Sequence, residues 1–220
     1  MSENPISYEL SDGIATITID RPDAMNAINE AVREGLWAAF RRFVDEDEAL
    51  VAILTATGEK VFCAGADLKE MSDSGLKVPP PDFMPYLNKN IHTDKPVIAA
   101  VNGLAYAGGF YLSQMCDLCI AADNARFAIT EPKWSRGAPW AAPLPWLIPP
   151  RVAMELLVTA KPISAERAYQ VGLVNQVVPL AELMDAARAM AVVDDPLFGP
   201  RREQAFGGGI HFTGEQTLNL

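Results

Sequence analysis

Two short stretches hold the residues best placed to do chemistry. In the first, Asn102-Gly103-Leu104-Ala105-Tyr106-Ala107-Gly108-Gly109-Phe110-Tyr111, adjacent glycines lie between the apolar run Val97 to Val101 and a helix-like run that starts at Phe110. In the second, Ala64-Gly65-Ala66-Asp67 follows an apolar segment and precedes a helix-like one. A helix start offers backbone N–H groups that have no intrahelical partner, and the helix dipole adds partial positive charge. Such a turn can stabilise an oxygen that acquires negative charge, and glycine removes the Cβ that would hold a ligand away. Either turn alone reads as close packing in an α/β protein. Together they could converge on one carbonyl oxygen.

Further motifs follow in order along the chain. They are Gly13 to Pro22 with Asn26-Ala27, Phe62 to Lys69, Lys95 to Gly103, Cys116-Asp117, Phe127 with Glu131, Ile163 to Ala168, and Gly172 to Asn175. On these residues the chain resembles the enoyl-CoA hydratase/isomerase (crotonase) family, from about Ile6 to about Met190. The resemblance implies that the N–H groups of Ala66 and Gly108 hold the thioester oxygen of an acyl-CoA. It places Glu131 as the general acid/base, with Ala24, Ala64, Gly65, Asp67, Leu68, Gly109, Tyr111 and Trp134 as substrate contacts. It also implies a homo-oligomer, trimer or hexamer, and no cofactor beyond the CoA of the substrate. Arg21, Lys60 and Lys69 beside these motifs are candidate contacts for CoA phosphates.

Glu131, read locally, is a surface glutamate before Pro132; in the family register it is a proton carrier whose pKa Phe127, Ile129 and Trp134 would raise by desolvation. Hydratases of the family carry a second glutamate where this chain has Tyr111, and a phenol is a poor base at neutral pH. Tyr111 either contacts the acyl group or packs against a neighbour. After Glu131 the family's glycine-rich turn is replaced by a segment from Gly137 to Pro150 with Trp140, Trp146 and five prolines, which predicts an altered acyl pocket. From Asp194 to Leu220 the chain diverges from the family's helical end. The domains expected are an acyl-CoA-binding core over 1–190 and a divergent, poorly ordered tail over 191–220.

The reaction expected is enoyl-CoA isomerisation or a related reaction through a thioester enolate, with a single glutamate moving the proton. The alternatives are hydration with a nonstandard second group, or a non-catalytic CoA-binding or assembly protein.

Composition agrees. The 220 residues are 50% hydrophobic, enough for one principal core, and the net charge of −10 argues against nucleic acid. With no leader or membrane span in the sequence, a soluble cytoplasmic protein is expected. Three cysteines make no disulfide framework, Cys116-Asp117-Leu118-Cys119 lacks a second pair for zinc, and Ser113 lacks an ordered His and Asp for a peptidase.

The elements that must position these residues are legible in outline. Ile6–Glu9 and Ile14–Ile19 predict a hairpin, 29–45 an amphipathic helix, and Val51–Thr55 a buried strand. A polar loop is expected over 72–82 after a short helix, strand, helix and strand through 96–122, and helices over 154–160 and 165–171. Alternating strands and helices imply α/β architecture, which the resemblance sharpens to a repeated ββα spiral.

Overall fold

A computed structural model describes residues 4–74, 80 and 82–192. Residues 193–220 of the tail expected over 191–220 lie outside the described residues, as do residues 75–79 and 81 of the loop expected over 72–82.

The chain opens with β1 (Ile6–Ser11) and β2 (Ile14–Ile19), antiparallel from Ile6↔Ile19 to Ser11↔Ile14. Asp12 and Gly13, both at positive φ (53° and 77°), make the two-residue turn, a conformation whose twist suits a hairpin. Helix α1 (Glu30–Asp45) starts where Asn29 accepts a hydrogen bond from the Val32 N–H at 3.0 Å. It ends where Lys95 Nζ donates to the carbonyls of Phe43, Val44 and Glu46.

A two-strand, one-helix unit then repeats: β3 (Val51–Ala56), β4 (Val61–Cys63) and α2 (Leu68–Ser74), followed by β5 (Val97–Val101), β6 (Leu104–Tyr106) and α3 (Gly108–Gln114). The next pair, β7 (Leu118–Ala122) and β8 (Arg126–Ala128), is followed by a 3-10 turn at Glu131–Trp134 and by α4 (Leu144–Leu147) and α5 (Pro150–Thr159). β9 (Ile163–Ser164), α6 (Ala165–Gln170), β10 (Gln176–Val178) and α7 (Leu183–Ala191) complete the described chain.

The first strand of each unit joins one sheet, ordered β1-β2-β3-β5-β7-β10, and the second joins another, ordered β4-β6-β8-β9. This is the expected ββα spiral. The inner strands of the first sheet, β2, β3, β5 and β7, are buried on both faces, while the edge strand β1 alternates buried with exposed or half-buried residues. One face meets α1 through Val32, Leu36, Phe40 and Phe43, and the other lies under α7 through Leu183 and Ala187. Burial on both sides explains why β3, Val-Ala-Ile-Leu-Thr-Ala, is a continuous apolar run without alternation.

Several boundaries differ from the sequence expectation for local reasons. α2 starts where Asp67 Oδ1 accepts from the N–H groups of Lys69 and Glu70, and it runs through Ser74, into the loop expected from 72. α5 begins four residues earlier than 154, since Pro150 suits a first helical turn.

Candidate active site

The second sheet brings the predicted residues together. β4, β6 and β8 are parallel neighbours, with Cys63 opposite Ala105, and Ala105 opposite Phe127. Ala66 comes three residues after the end of β4, Gly108 two after β6, and Glu131 three after β8. All three therefore sit beyond the carboxyl ends of adjacent parallel strands, where α/β sheets leave room for a ligand.

The two glycine turns touch. Gly65 has φ +99°, and a Cβ there would lie 2.8 Å from Ala107 Cβ and 3.3 Å from Gly108 N, so only glycine lets the turns close on one another. Ile28 grips the first turn as a short parallel bridge, donating its N–H to Gly65 O at 2.8 Å and accepting from Asp67 N–H at 2.9 Å. That pairing skips the Ala66 N–H. Ala107 precedes α3 at φ 50°, ψ −118°, a region costing on the order of 1–3 kcal/mol for a residue with a Cβ. Its own N–H donates to Ala128 O at 3.0 Å, tying the turn to β8. Among the described residues, neither the Ala66 N–H nor the Gly108 N–H has a hydrogen-bond partner, and both residues are only partly buried. The two donors without partners lie on touching turns, an arrangement that one incoming oxygen could bridge.

Glu131 begins the 3-10 turn after β8. Its Oε1 accepts from the Trp140 indole Nε1–H at 2.7 Å. Its Oε2 is buried and has no hydrogen-bond partner among the described residues. Burial pushes the carboxyl above its ordinary pKa, partly offset by backbone N–H groups and the Trp140 hydrogen bond. A buried acceptor without a partner costs about 1–3 kcal/mol.

Tyr111 packs. Its side chain is 6% exposed, its hydroxyl donates to Pro85 O at 3.1 Å, and its ring centroid lies 4.7 Å from Tyr86 and 6.2 Å from Trp140. Burial raises the phenol further above its already high pKa, which removes it as a base. The expectation that Trp134 desolvates Glu131 is corrected, because Trp134 is 64% exposed. Trp146 of the same segment is 84% exposed, so Trp140 is the tryptophan that turns inward. An indole is only a donor, and one that becomes buried needs an acceptor, but that holds equally for Trp134, Trp140 and Trp146 and so does not single out Trp140 in the sequence.

The remaining predicted residues are placed differently. Ala24 ends a 3-10 turn whose next residue, Met25, accepts from the Ala64 N–H at 3.1 Å, so Ala24 and Ala64 flank the first glycine turn. Leu68 is 65% exposed at the start of α2. Gly109 is buried where a Cβ would overlap the Cys63 carbonyl, which makes it a packing glycine. The Asp67 carboxylate is engaged with Arg21 at 2.7 Å, and that guanidinium, with its other hydrogen bonds, holds the carboxyl below the usual range. Arg21 also donates to Ala27 O at 3.0 Å, while Lys60 and Lys69 are exposed. Arg21 and Lys69 share an open cleft with Asn29, Asp67, Glu70 and Asp73. Among the described residues no group of three or more His, Cys, Asp or Glu could hold a metal ion, and no helix is long and apolar enough to cross a membrane.

Comparison with known proteins identifies relatives of the whole described fold. A family model described as enoyl-CoA hydratase/isomerase matches residues 9–193. The chain is 43% identical to carnitinyl-CoA dehydratase of Salmonella agona over 184 residues, covering 81% of this chain and 69% of that protein. It superposes on the structure of a carnitinyl-CoA dehydratase from Mycobacterium avium with a TM-score of 0.80 at 36% identity, covering 93% of this chain and 83% of the other. An enoyl-CoA hydratase from Mycobacterium tuberculosis H37Rv gives a TM-score of 0.78 at 39% identity, covering 86% of this chain and 75% of the other.

Proposed function

The chain belongs to the enoyl-CoA hydratase/isomerase family, and from that premise we propose that it moves a proton at C2 of an acyl-CoA with Glu131 as the sole carboxylate. The observation that carries this reading is the pairing of a buried, unpartnered Glu131 Oε2 with two unpartnered N–H donors beyond the same sheet edge.

The thioester carbonyl accepts from Ala66 and Gly108. As Glu131 Oε2 takes the C2 proton, the electron pair of that C–H bond moves into an enolate whose oxygen the two donors hold. Loss of one comparable donor costs roughly 3–4 kcal/mol of barrier. Return of the proton from Glu131 to C4 of a 3-enoyl-CoA shifts the double bond and gives the 2-enoyl-CoA. Every proton is accounted for without a second acid or base. Tyr111, tied to Pro85 O, leaves no phenolic base to activate water.

A second reading is favoured by the printed names of the relatives, dehydratase and hydratase. Here Glu131 would take the C2 proton of a 3-hydroxyacyl-CoA and deliver it to the departing hydroxyl, releasing water. Product analysis separates the two. Isomerisation predicts that trans-3-enoyl-CoA becomes the 2-enoyl ester, with the rate falling at least ~100-fold in Glu131→Gln. Dehydration predicts interconversion of 2-enoyl- and 3-hydroxyacyl-CoA with the same dependence. Turnover of either kind that survives Glu131→Gln would sink both.

A further inference from the structure

We propose that Trp140 is the positioning residue for Glu131: its indole pins one carboxylate oxygen, so that the other carries the proton in both directions. The inference rests on Glu131 being the acid/base, and it adds what keeps a single carboxylate on target.

Three observations combine. The indole N–H donates to Glu131 Oε1 at 2.7 Å. An indole nitrogen cannot accept, so Oε1 is the acceptor whether or not Glu131 is protonated, and the proton must ride on Oε2. Oε2 is the buried oxygen without a partner among the described residues. Trp140 itself is fixed from α3: Gln114 Nε2 donates to Trp140 O at 3.0 Å, and the indole packs edge-on to Phe110 at 5.8 Å and Tyr111 at 6.2 Å. α3 is also the helix whose first residue is Gly108. One element therefore sets the positions of an oxyanion donor and, through Trp140, of the proton carrier. Errors in the distance between them are suppressed, and misplacement by about 1 Å can cost on the order of 100-fold in rate.

The surroundings leave Trp140 as the distinctive side-chain influence. Lys133 and Arg136 follow Glu131 in the chain and are exposed, with the Arg136 guanidinium 3.8 Å from Met71 Sδ. α5 packs against the Glu131 turn and brings Arg151 and Glu155, both exposed, while α3 brings the neutral Tyr111.

Nuclear magnetic resonance of the full chain with nitrogen-15 tryptophan tests this without turnover. One of the four indole N–H signals should titrate with Glu131, stop titrating in Glu131→Gln and vanish in Trp140→Phe, which keeps a ring against Phe110 and Tyr111. In kinetics, Trp140→Phe should lower kcat by roughly 10- to 100-fold with KM changed less than about threefold. The acid limb of its pH profile should move upward, because the charged carboxylate has lost a donor. No titrating indole, or a folded Trp140→Phe with unchanged kcat and pH profile, overturns the proposal. If the indole titrates as described but no acyl-CoA is turned over, the acyl-CoA reading fails and the hydrogen-bonded pair stands.

Discussion

In the proposed reaction Glu131 concentrates the chemistry in one oxygen. Its Oε1 is committed to Trp140 and its Oε2 is buried without a partner, so the group is destabilised in its charged form. Below its raised pKa the carboxyl is protonated and cannot act as a base, so the acid limb of kcat/KM should lie above the ordinary carboxylate range. The same shift acts on stability. Between the ordinary glutamate pKa and the raised folded value, the unfolded chain has released a proton that the folded chain still holds, so stability falls as pH rises through that window. Glu131→Gln has no proton to release there. Thermal melts from about pH 4 to 8 should therefore show the difference in Tm between variant and parent moving in the variant's favour as pH rises. A pH-independent difference would contradict the shift.

The glycine turns carry the proposed oxyanion cradle, and Gly65 is the residue that lets them close on one another. Gly65→Ala would meet Ala107 Cβ at 2.8 Å and place a side chain at φ +99°, costing roughly 1–3 kcal/mol and pushing the two donors apart. Gly137→Ala is the control, since a Cβ there meets nothing within 4 Å. Chemical denaturation should show loss of stability only for Gly65→Ala, together with a fall in kcat; equal behaviour of the two would mean that the turns do not need each other. These turns were legible in the sequence because a glycine between a strand and a helix is a local requirement. β4, β6, β8 and β9 were not, since each has three residues or fewer and too little length for a period. The Trp140–Glu131 contact was illegible for another reason: which of Trp134, Trp140 and Trp146 turns inward is decided by tertiary packing, which has no period to read. The departure at Tyr111 was visible, but its meaning came only with Pro85 O beside its hydroxyl.

At the scale of the molecule, the spiral places every proposed reacting group beyond one end of the second sheet and leaves four large apolar side chains exposed on α4 and α5, interspersed on α5 with the charged Arg151 and Glu155. Trp146 (84% exposed), Leu147 (46%), Met154 (54%) and Val158 (69%) lie there, with Met154 and Val158 one helical turn apart. Clusters of this kind mark association surfaces. Sedimentation should find an oligomer, and Met154→Asp with Val158→Asp should move it toward the protomer; a monomeric parent would contradict that expectation. The central claim is narrower than assembly: Glu131 removes a proton from C2 of a thioester held by Ala66 and Gly108. It is tested most directly by incubating the protein in heavy water with a 3-enoyl-CoA and a 3-hydroxyacyl-CoA and measuring deuterium at C2 by mass spectrometry, beside Glu131→Gln. Exchange or turnover that depends on Glu131 is the predicted result. Exchange that persists undiminished in Glu131→Gln, or no exchange and no product from either thioester, would contradict it.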